Sequence, residues 1–395
     1  MDAAVSDESA RGPRMAFRIV ITTTLNDNLF RAKLVPLVRA RPDVELVVVT
    51  DREGPRVDRV RWVWPHGVSR LCGRLGGRLL LLLREVLHPR TRLVMAYNVI
   101  PHGVFAVAAA RLRGLPVYLH LIGGPGDVRF AHNPDVSDNR LVKRSRHPRR
   151  IERLAEWAAG RATRLFVPGS RTEAFLESQG YQRARIVRLH STIDPERFHP
   201  DADARDLDVI VSAQLRERKR PLFTLDVLRR VRDARPNARF CWLGDGPLHD
   251  EFAAALDRLG LRDSVRWTET DDVAGYYRRA RVFLLCSISE GLSLACMEAM
   301  ACGAVPVTTD CGDMADVVRD KITGALLPVD AAPEAFAREV LELIENPGTW
   351  SERSLAATEI IAREHRVGSA TAKWRELLSE LDDELRDDAK VNHHA

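Results

Sequence analysis

Short apolar runs alternate with longer segments of helical periodicity along nearly all of this 395-residue chain. Such alternation predicts parallel α/β units rather than a sandwich or a helix bundle. In the first half the runs fall at residues 17–24, 44–50, 92–97, 117–122, 165–168 and 186–189. In the second half they fall at 208–213, 238–244, 265–268, 282–286, 305–308 and 325–328. Between them, segments such as 250–259 and 333–344 place apolar residues on one helical face. Two sets of strands in one chain of this length predict an α/β protein of two doubly wound domains. Ligands of such sheets bind outside the carboxyl ends of the strands.

The boundaries follow from composition. Residues 1–14 lack the apolar core of a signal segment and predict a tail. Residues 15–190 form the first domain. Residues 191–206 are rich in proline and charge and predict a linker. Residues 207–365 form the second domain. Residues 366–386 carry Trp374, Leu377, Leu378 and Leu381 at helical spacing, so this helix must pack on something, and crossing back to the first domain is one option. Residues 387–395 are polar and predict a frayed tail. No uncharged apolar run reaches the roughly 18 residues of a membrane span; the leucine run 79–83 is closed by Arg78 and Arg84. The six cysteines form no C-x-x-C pair and no zinc pattern. Cys286 and Cys296 sit among apolar residues as core fillers. A reducing cytoplasm fits, with attachment to the inner face of the membrane as an option.

Charge is unevenly divided. Residues 1–190 hold 33 Lys and Arg against 17 Asp and Glu, net +16, and the rest are net −11, for +5 in total. The basic half points to an anionic partner such as a membrane leaflet, a lipid phosphate or nucleic acid, or else to solvated arginines alone. Residues 140–153, R-L-V-K-R-S-R-H-P-R-R-I-E-R, concentrate this charge, with Pro148 breaking any single long helix. Residues 69–87 mix Arg with Leu and suit an interface, whereas the leucine run 79–83 by itself suits a packed helix core. Few aromatics interleave with the charges, which disfavours nucleic acid.

Residues 287–316, S-I-S-E-G-L-S-L-A-C-M-E-A-M-A-C-G-A-V-P-V-T-T-D-C-G-D-M-A-D, carry the chemistry. Glu290 stands in a loop before a glycine and a helix, and Glu298 lies inside that helix. The free amides and positive dipole of a helix N-terminus attract phosphate. At a rise of roughly 1.5 Å per residue, Glu298 lies about 7 Å into the helix from Ser293, level with a ribose. Glu290 stays in the loop, within reach of a sugar beyond the phosphates. Two acceptor side chains flanking one anion cradle predict a nucleotide diphosphate-sugar site.

Four segments in order carry a resemblance. They are S-T-I-D-P-E-R-F-H-P at 191–200, L-G-D-G-P-L-H-D-E-F at 243–252, Y-Y-R-R-A-R-V-F-L-L-C-S-I-S-E-G-L at 276–292, and the Glu-x₇-Glu segment running through E-A-M-A-C-G-A-V-P-V to T-G-A-L-L-P. They resemble the retaining glycosyltransferases with two Rossmann-like domains of the GT-B type, glycosyltransferase family four, also called glycosyl transferases group 1. The likeness covers residues 190–330 closely and the first half in pattern only. It implies that Glu290 holds hydroxyls of the donor sugar, that the amides of Gly291, Leu292 and Ser293 meet the phosphates, and that Glu298 holds the ribose. Lys219 stands at the diphosphate, where it stabilises the charge of the leaving group. The family's arginine five residues earlier is Gln214 here, leaving Arg216, Arg218 or Arg220 to supply the charge. Gly244 belongs to the donor side by its motif, and Thr268 and Thr270 stand near the base. His120, after a predicted strand, occupies the position of a histidine facing the reaction centre; a structural role is its alternative. Gly123, Gly124 and Asp127 flank it on the acceptor side. Many relatives have a Gly-Gly loop after the first strand. This chain has T-T-T-L-N-D-N at 22–28, which makes close backbone approach harder. Asn26 and Asn28 are acceptor contacts or turn formers.

The implied reaction is transfer of a hexosyl or N-acetylhexosaminyl group to an acceptor hydroxyl with retention of configuration. UDP or GDP is the expected carrier, and no cofactor or metal is expected, since Lys219, an arginine and helix dipoles do a metal's work. The acceptor is a saccharide, glycolipid or other cell-envelope precursor; a small secondary metabolite is the alternative. A non-catalytic sugar-nucleotide-binding subunit is the reading from another class. A dinucleotide dehydrogenase and a P-loop enzyme are disfavoured because their glycine motifs are missing.

Overall fold

The computed structural model describes residues 17–66, 72–131, 139–201 and 205–393. The tail expected over 1–14 lies outside them. The chain forms two compact units. The first comprises Met1–His120, Ala158–Arg164 and Ala370–Ala395, and the second Leu121–Trp157 and Leu165–Ser369.

In the first unit, β1 (Phe17–Thr22), β2 (Val44–Val49), β3 (Val60–Val63), β4 (Thr91–Tyr97) and β5 (Val117–His120) run parallel in the order β3-β2-β1-β4-β5. All six residues of β1 are buried, as expected of a strand covered on both faces. Arg18 is tolerated inside it because its guanidinium reaches the Glu85 carboxylate and donates to Thr91 Oγ1 at 2.9 Å. The edge strand β3, V-R-W-V, has only one fully buried residue, so it lacks the apolar run by which the others are legible.

Helix Gly73–Leu87 corrects the expectation of a packed leucine core at 79–83. Leu81 and Leu82 are buried, but Leu80 and Leu87 are 50% and 53% exposed. At roughly 100° per residue, positions 80 and 87 fall opposite positions 81, 82 and 85. The last helix, Val367–His393, buries Trp374, Leu377, Leu378 and Leu381, and Arg41 donates to Asp382 at 2.6 Å. Its residues from 370 onward belong to the first unit. It continues through the polar residues 387–393, which contain no proline or glycine to stop it.

In the second unit, β6 (Arg164–Val167, apart from its first residue) pairs with β7 (Ile186–Arg188). A six-stranded parallel sheet follows, with β8 (Leu207–Ser212), β9 (Phe240–Leu243), β10 (Val265–Thr268), β11 (Ala280–Leu285), β12 (Val305–Thr309) and β13 (Ala325–Leu327) in the order β10-β9-β8-β11-β12-β13. Strand order reverses between β8 and β11, so their exits flank a topological switch point. Residues 140–153 form two helices, Arg140–Lys143 and the start of Pro148–Arg161, broken ahead of Pro148. Among the described residues no helix is long and apolar enough to cross a membrane.

Candidate active site

The loops leaving β8 and β11 meet at the switch point. After β8, residues Glu217–Lys219 make a tight 3₁₀ turn, closed by Arg220 at φ 49°. The Ile288 amide donates to the Arg218 carbonyl at 2.8 Å and ties this turn to the β11 loop. Two cations thereby reach one carboxylate. Lys219 Nζ binds Glu290 Oε1, and Arg218 Nη1 donates to Glu290 Oε2 at 3.1 Å and to the Ser289 carbonyl. Burial pushes the Glu290 carboxyl up, but Lys219 and Arg218 outweigh it and hold it down to about 2. Glu290 is therefore ionised across the physiological range.

Two glycines let the surrounding backbone close on this carboxylate. A methyl at Gly291 would overlap the Ile122 carbonyl, and one at Gly312, which has φ +55°, would overlap the Glu290 carbonyl. The Asp313 amide donates to the Gly291 carbonyl at 2.8 Å. Gly124 lies against Glu290 and Gly291, so the loop at 122–127 rests directly on the Glu290 loop. Within it, Asp127 accepts from the Gly123 amide at 2.8 Å. Burial raises its carboxyl to about 6, against the Gly123 bond and the field of Arg218. Asp127 thus holds the turn that contains Gly123 and Gly124.

Helix Leu294–Ala301 begins beside Glu290. Ser293 caps it, accepting from the Cys296 amide at 3.4 Å. Leu292 and Ser293 lead into the helix. Glu298 is buried one turn in, and burial lifts its carboxyl to about 8 in spite of Arg197. It accepts no hydrogen bond among the described residues, so its lone pairs are available to a ligand.

The other donor-side positions are engaged more loosely. Gln214 Oε1 accepts from Arg216 Nε at 2.8 Å, which draws Arg216 toward Gln214. Arg220 donates to the Val329 carbonyl at 2.8 Å and lies 3.8 Å over the Phe223 ring. Gly244 has φ +123° and sits on the Ala213 carbonyl. The Thr268 hydroxyl donates to the Glu269 carbonyl, and the Thr270 hydroxyl accepts from the Asp272 amide.

Some contacts around the site had no sequence signal. Asp313 accepts from the Thr172 amide at 2.9 Å and from its hydroxyl, and Asp316 accepts from the Ser170 amide at 2.7 Å and from its hydroxyl. These carboxylates cap helix Ser170–Ser178 from far along the chain, where no local spacing reveals them.

In the first unit, His120 ends β5 and is buried, its ring 4.3 Å from Tyr97 and 6.0 Å from Trp374. Burial, then Lys33, keeps it far below the ordinary histidine value and neutral. Asn26 is occupied: its Oδ1 accepts from the Leu29 amide at 2.8 Å and caps helix Asp27–Ala40. The loop after β1 is held instead by His102, whose Nδ1 and Nε2 lie 3.1 Å and 3.3 Å from the hydroxyls of Thr22 and Thr24. Burial, helped by Arg78, lowers this histidine to about 3. Sequence reasoning missed His102, which nothing in its surroundings marks.

Residues 206–346 match the family model for glycosyl transferases group 1. A D-inositol 3-phosphate glycosyltransferase of Kribbella flavida is 30% identical over 202 residues, covering 46% of this chain and 47% of that protein. The match thus spans about half the length of that relative. A 2-deoxystreptamine glucosyltransferase of Streptomyces kanamyceticus is 24% identical over 293 residues, 67% of this chain and 73% of that one. The structure of Anabaena HepE in complex with UDP-glucose superposes with a TM-score of 0.72 at 15% identity, covering 92% of this chain and 99% of that one. At that identity the likeness shows the fold, two parallel-sheet Rossmann-like domains of the GT-B type. Over residues 206–346 the chain is similar to the group 1 glycosyl transferases.

Proposed function

We propose that the protein transfers a hexosyl or N-acetylhexosaminyl group from a nucleotide diphosphate-sugar to an acceptor hydroxyl with retention of configuration. The observation that carries this reading is the pair Lys219 and Arg218 on Glu290, beside the amides of a helix N-terminus, with a buried carboxyl at Glu298. The cations and amides suit a diphosphate. Glu298 suits ribose hydroxyls, and Glu290 suits hydroxyls of the sugar. Leaving-group charge develops where Lys219 stands, so the reading needs no metal. UDP is the favoured carrier, supported by the UDP-glucose complex of the fold relative. The acceptor is read as a saccharide or glycolipid of the cell envelope. A small cyclic polyol is the second reading, favoured by the two named relatives, whose acceptors are an inositol phosphate and 2-deoxystreptamine.

The test is a thermal-shift and slow-hydrolysis screen of UDP-, GDP-, ADP- and dTDP-sugars, with and without EDTA. Stabilisation and hydrolysis with one donor, unchanged by EDTA, support the reading; donor binding with no turnover on any acceptor mixture would favour a binding subunit instead. Lys219→Ala is expected to lower turnover roughly a hundredfold.

A peripheral contact with an anionic bilayer is the reading for the basic segment. Arg144, Arg146, Arg149, Arg150 and Arg153 have no ion-pair or hydrogen-bond partner for their guanidinium groups among the described residues, and Leu141 and Leu154 are exposed beside them. Co-flotation with vesicles containing anionic lipid, lost in neutral vesicles, is the expected result.

A further inference from the structure

Strand order in the first unit's sheet also reverses, between β1 and β4, so this unit has a switch point of its own. The loops leaving these two strands are clamped together. His102 follows β4, and its ring nitrogens lie against the hydroxyls of Thr22 and Thr24, where β1 ends. Asn98, the first residue after β4, stands at φ 72° and ψ 143°, a sparsely populated conformation for a residue with a side chain.

Helix Gly73–Leu87 brings a cation to this point. The helix follows β3, so its first turns lie at the carboxyl edge of the sheet. Helical side chains lean toward the amino terminus, and Arg78 does so, its Nε donating to the Arg74 carbonyl at 3.3 Å. Arg78 is close enough to His102 for its charge to help keep that ring neutral. It is only 9% exposed. Its Nη1 is buried without a hydrogen-bond partner, and its guanidinium forms no ion pair among the described residues. Asp51 is the carboxylate whose field reaches Arg78, but it accepts instead from the Thr50 hydroxyl at 3.4 Å. Arginines that brace this unit look different. Arg59 and Arg113 spend their forks on backbone carbonyls, and Arg18 spends its own on Glu85 and Thr91. A guanidinium cannot shed its charge, and a buried cation without a paired anion destabilises the fold that holds it.

We propose that Arg78 is the anion-binding residue of a site at the first unit's switch point, and that the acceptor brings an oxyanion to it, as a phosphate ester or a carboxylate. The inference rests on the glycosyltransferase reading, with the acceptor held by the first unit. The oxyanion supplies the charge that the fold leaves out, and its oxygens match the planar fork. An acceptor with hydroxyls alone leaves the cation buried and unpaired, so the site selects against it.

The experiment uses the whole chain as wild type, Arg78→Met and Arg78→Lys. Arg229→Gln, on an outer helix face paired to Asp226 and Asp233, controls for loss of one positive charge. UDP or GDP, whichever binds, is kept saturating, so that the donor site does not itself take the anion. Calorimetry and thermal melting then follow glucose, glucose 6-phosphate, glucuronate and inorganic phosphate. Wild type and Arg229→Gln are expected to bind one of the two acidic sugars at least about tenfold more tightly than glucose, and which one tells phosphate ester from carboxylate. Arg78→Met is expected to erase that preference and Arg78→Lys to keep part of it. Ligand-free Arg78→Met is expected to melt no lower than wild type, because it has lost an unpaired buried charge. An Arg78→Met protein that melts lower and keeps the preference would make Arg78 a brace and overturn the proposal. Equal binding of charged and uncharged sugars by wild type, or binding of inorganic phosphate without either acidic sugar, would overturn it too, with the donor reading intact. A wild type that binds neither UDP nor GDP would overturn the donor reading, separately from the titration of Arg78.

Discussion

Glu298→Gln isolates the cost of a buried, unpaired carboxyl. The carboxyl titrates near 4.5 in an unfolded chain and at about 8 in the folded protein. The folded state therefore holds the proton more tightly, and the stability this confers is full below pH 4.5 and is lost as pH rises toward 8. Between those values stability falls by about 1.4 kcal/mol per pH unit, and above 8 the loss levels off. From pH 6 to pH 9 the wild type accordingly loses about 3 kcal/mol at this residue. Glutamine occupies nearly the same volume and does not titrate. Urea denaturation of wild type and Glu298→Gln at both pH values, followed by tryptophan fluorescence, gives the difference directly. The variant's advantage should grow by about 3 kcal/mol from pH 6 to pH 9. An advantage that stays constant would show that Glu298 is not a proton-holding buried carboxyl, and the argument from its burial would be wrong.

Three further outcomes are expected. UDP binding at pH 7 should release a proton from Glu298 as ribose hydroxyls donate to it, seen as a buffer-dependent calorimetric heat that vanishes in Glu298→Gln. Gly312→Ala places a side chain at φ +55° and against the Glu290 carbonyl, so it should lose at least about 1–2 kcal/mol from the backbone alone and weaken nucleotide binding; unchanged melting and affinity would contradict this. Trp374→Ala removes a fully buried ring and should cost about 3–5 kcal/mol in denaturant titration.

The repeating fold was legible because strands covered on both faces must be apolar throughout. All twelve expected strands are present, with ends within two residues of the predicted ones. The exception, β3, is a half-exposed edge where Arg61 and Trp62 interrupt the pattern. Glu290, Lys219 and Glu298 were legible because they sit at fixed distances from a strand, a turn and a helix cap. Arg216, Arg218 and Arg220 were equal candidates in the sequence, and the contact of Arg218 with Glu290 appears only once the 3₁₀ turn is formed. Asn26 offered two readings, and the structure gives it a cap to hold. Asp313 and Asp316 were invisible, because a cap supplied from 141 or 146 residues away leaves no local trace.

The first unit is assembled from residues at both ends of the sequence. During synthesis its five strands emerge from the ribosome early, but the helix carrying Trp374, Leu377, Leu378 and Leu381 is made after every strand of the second unit. Until then the surface this helix will cover remains bare. The second unit's six-stranded sheet is complete once β13 has emerged, so on the growing chain it can mature ahead of the first. A ribosome that stalls before this helix has been made would therefore carry an unfinished first unit, an early substrate for chaperones or proteases.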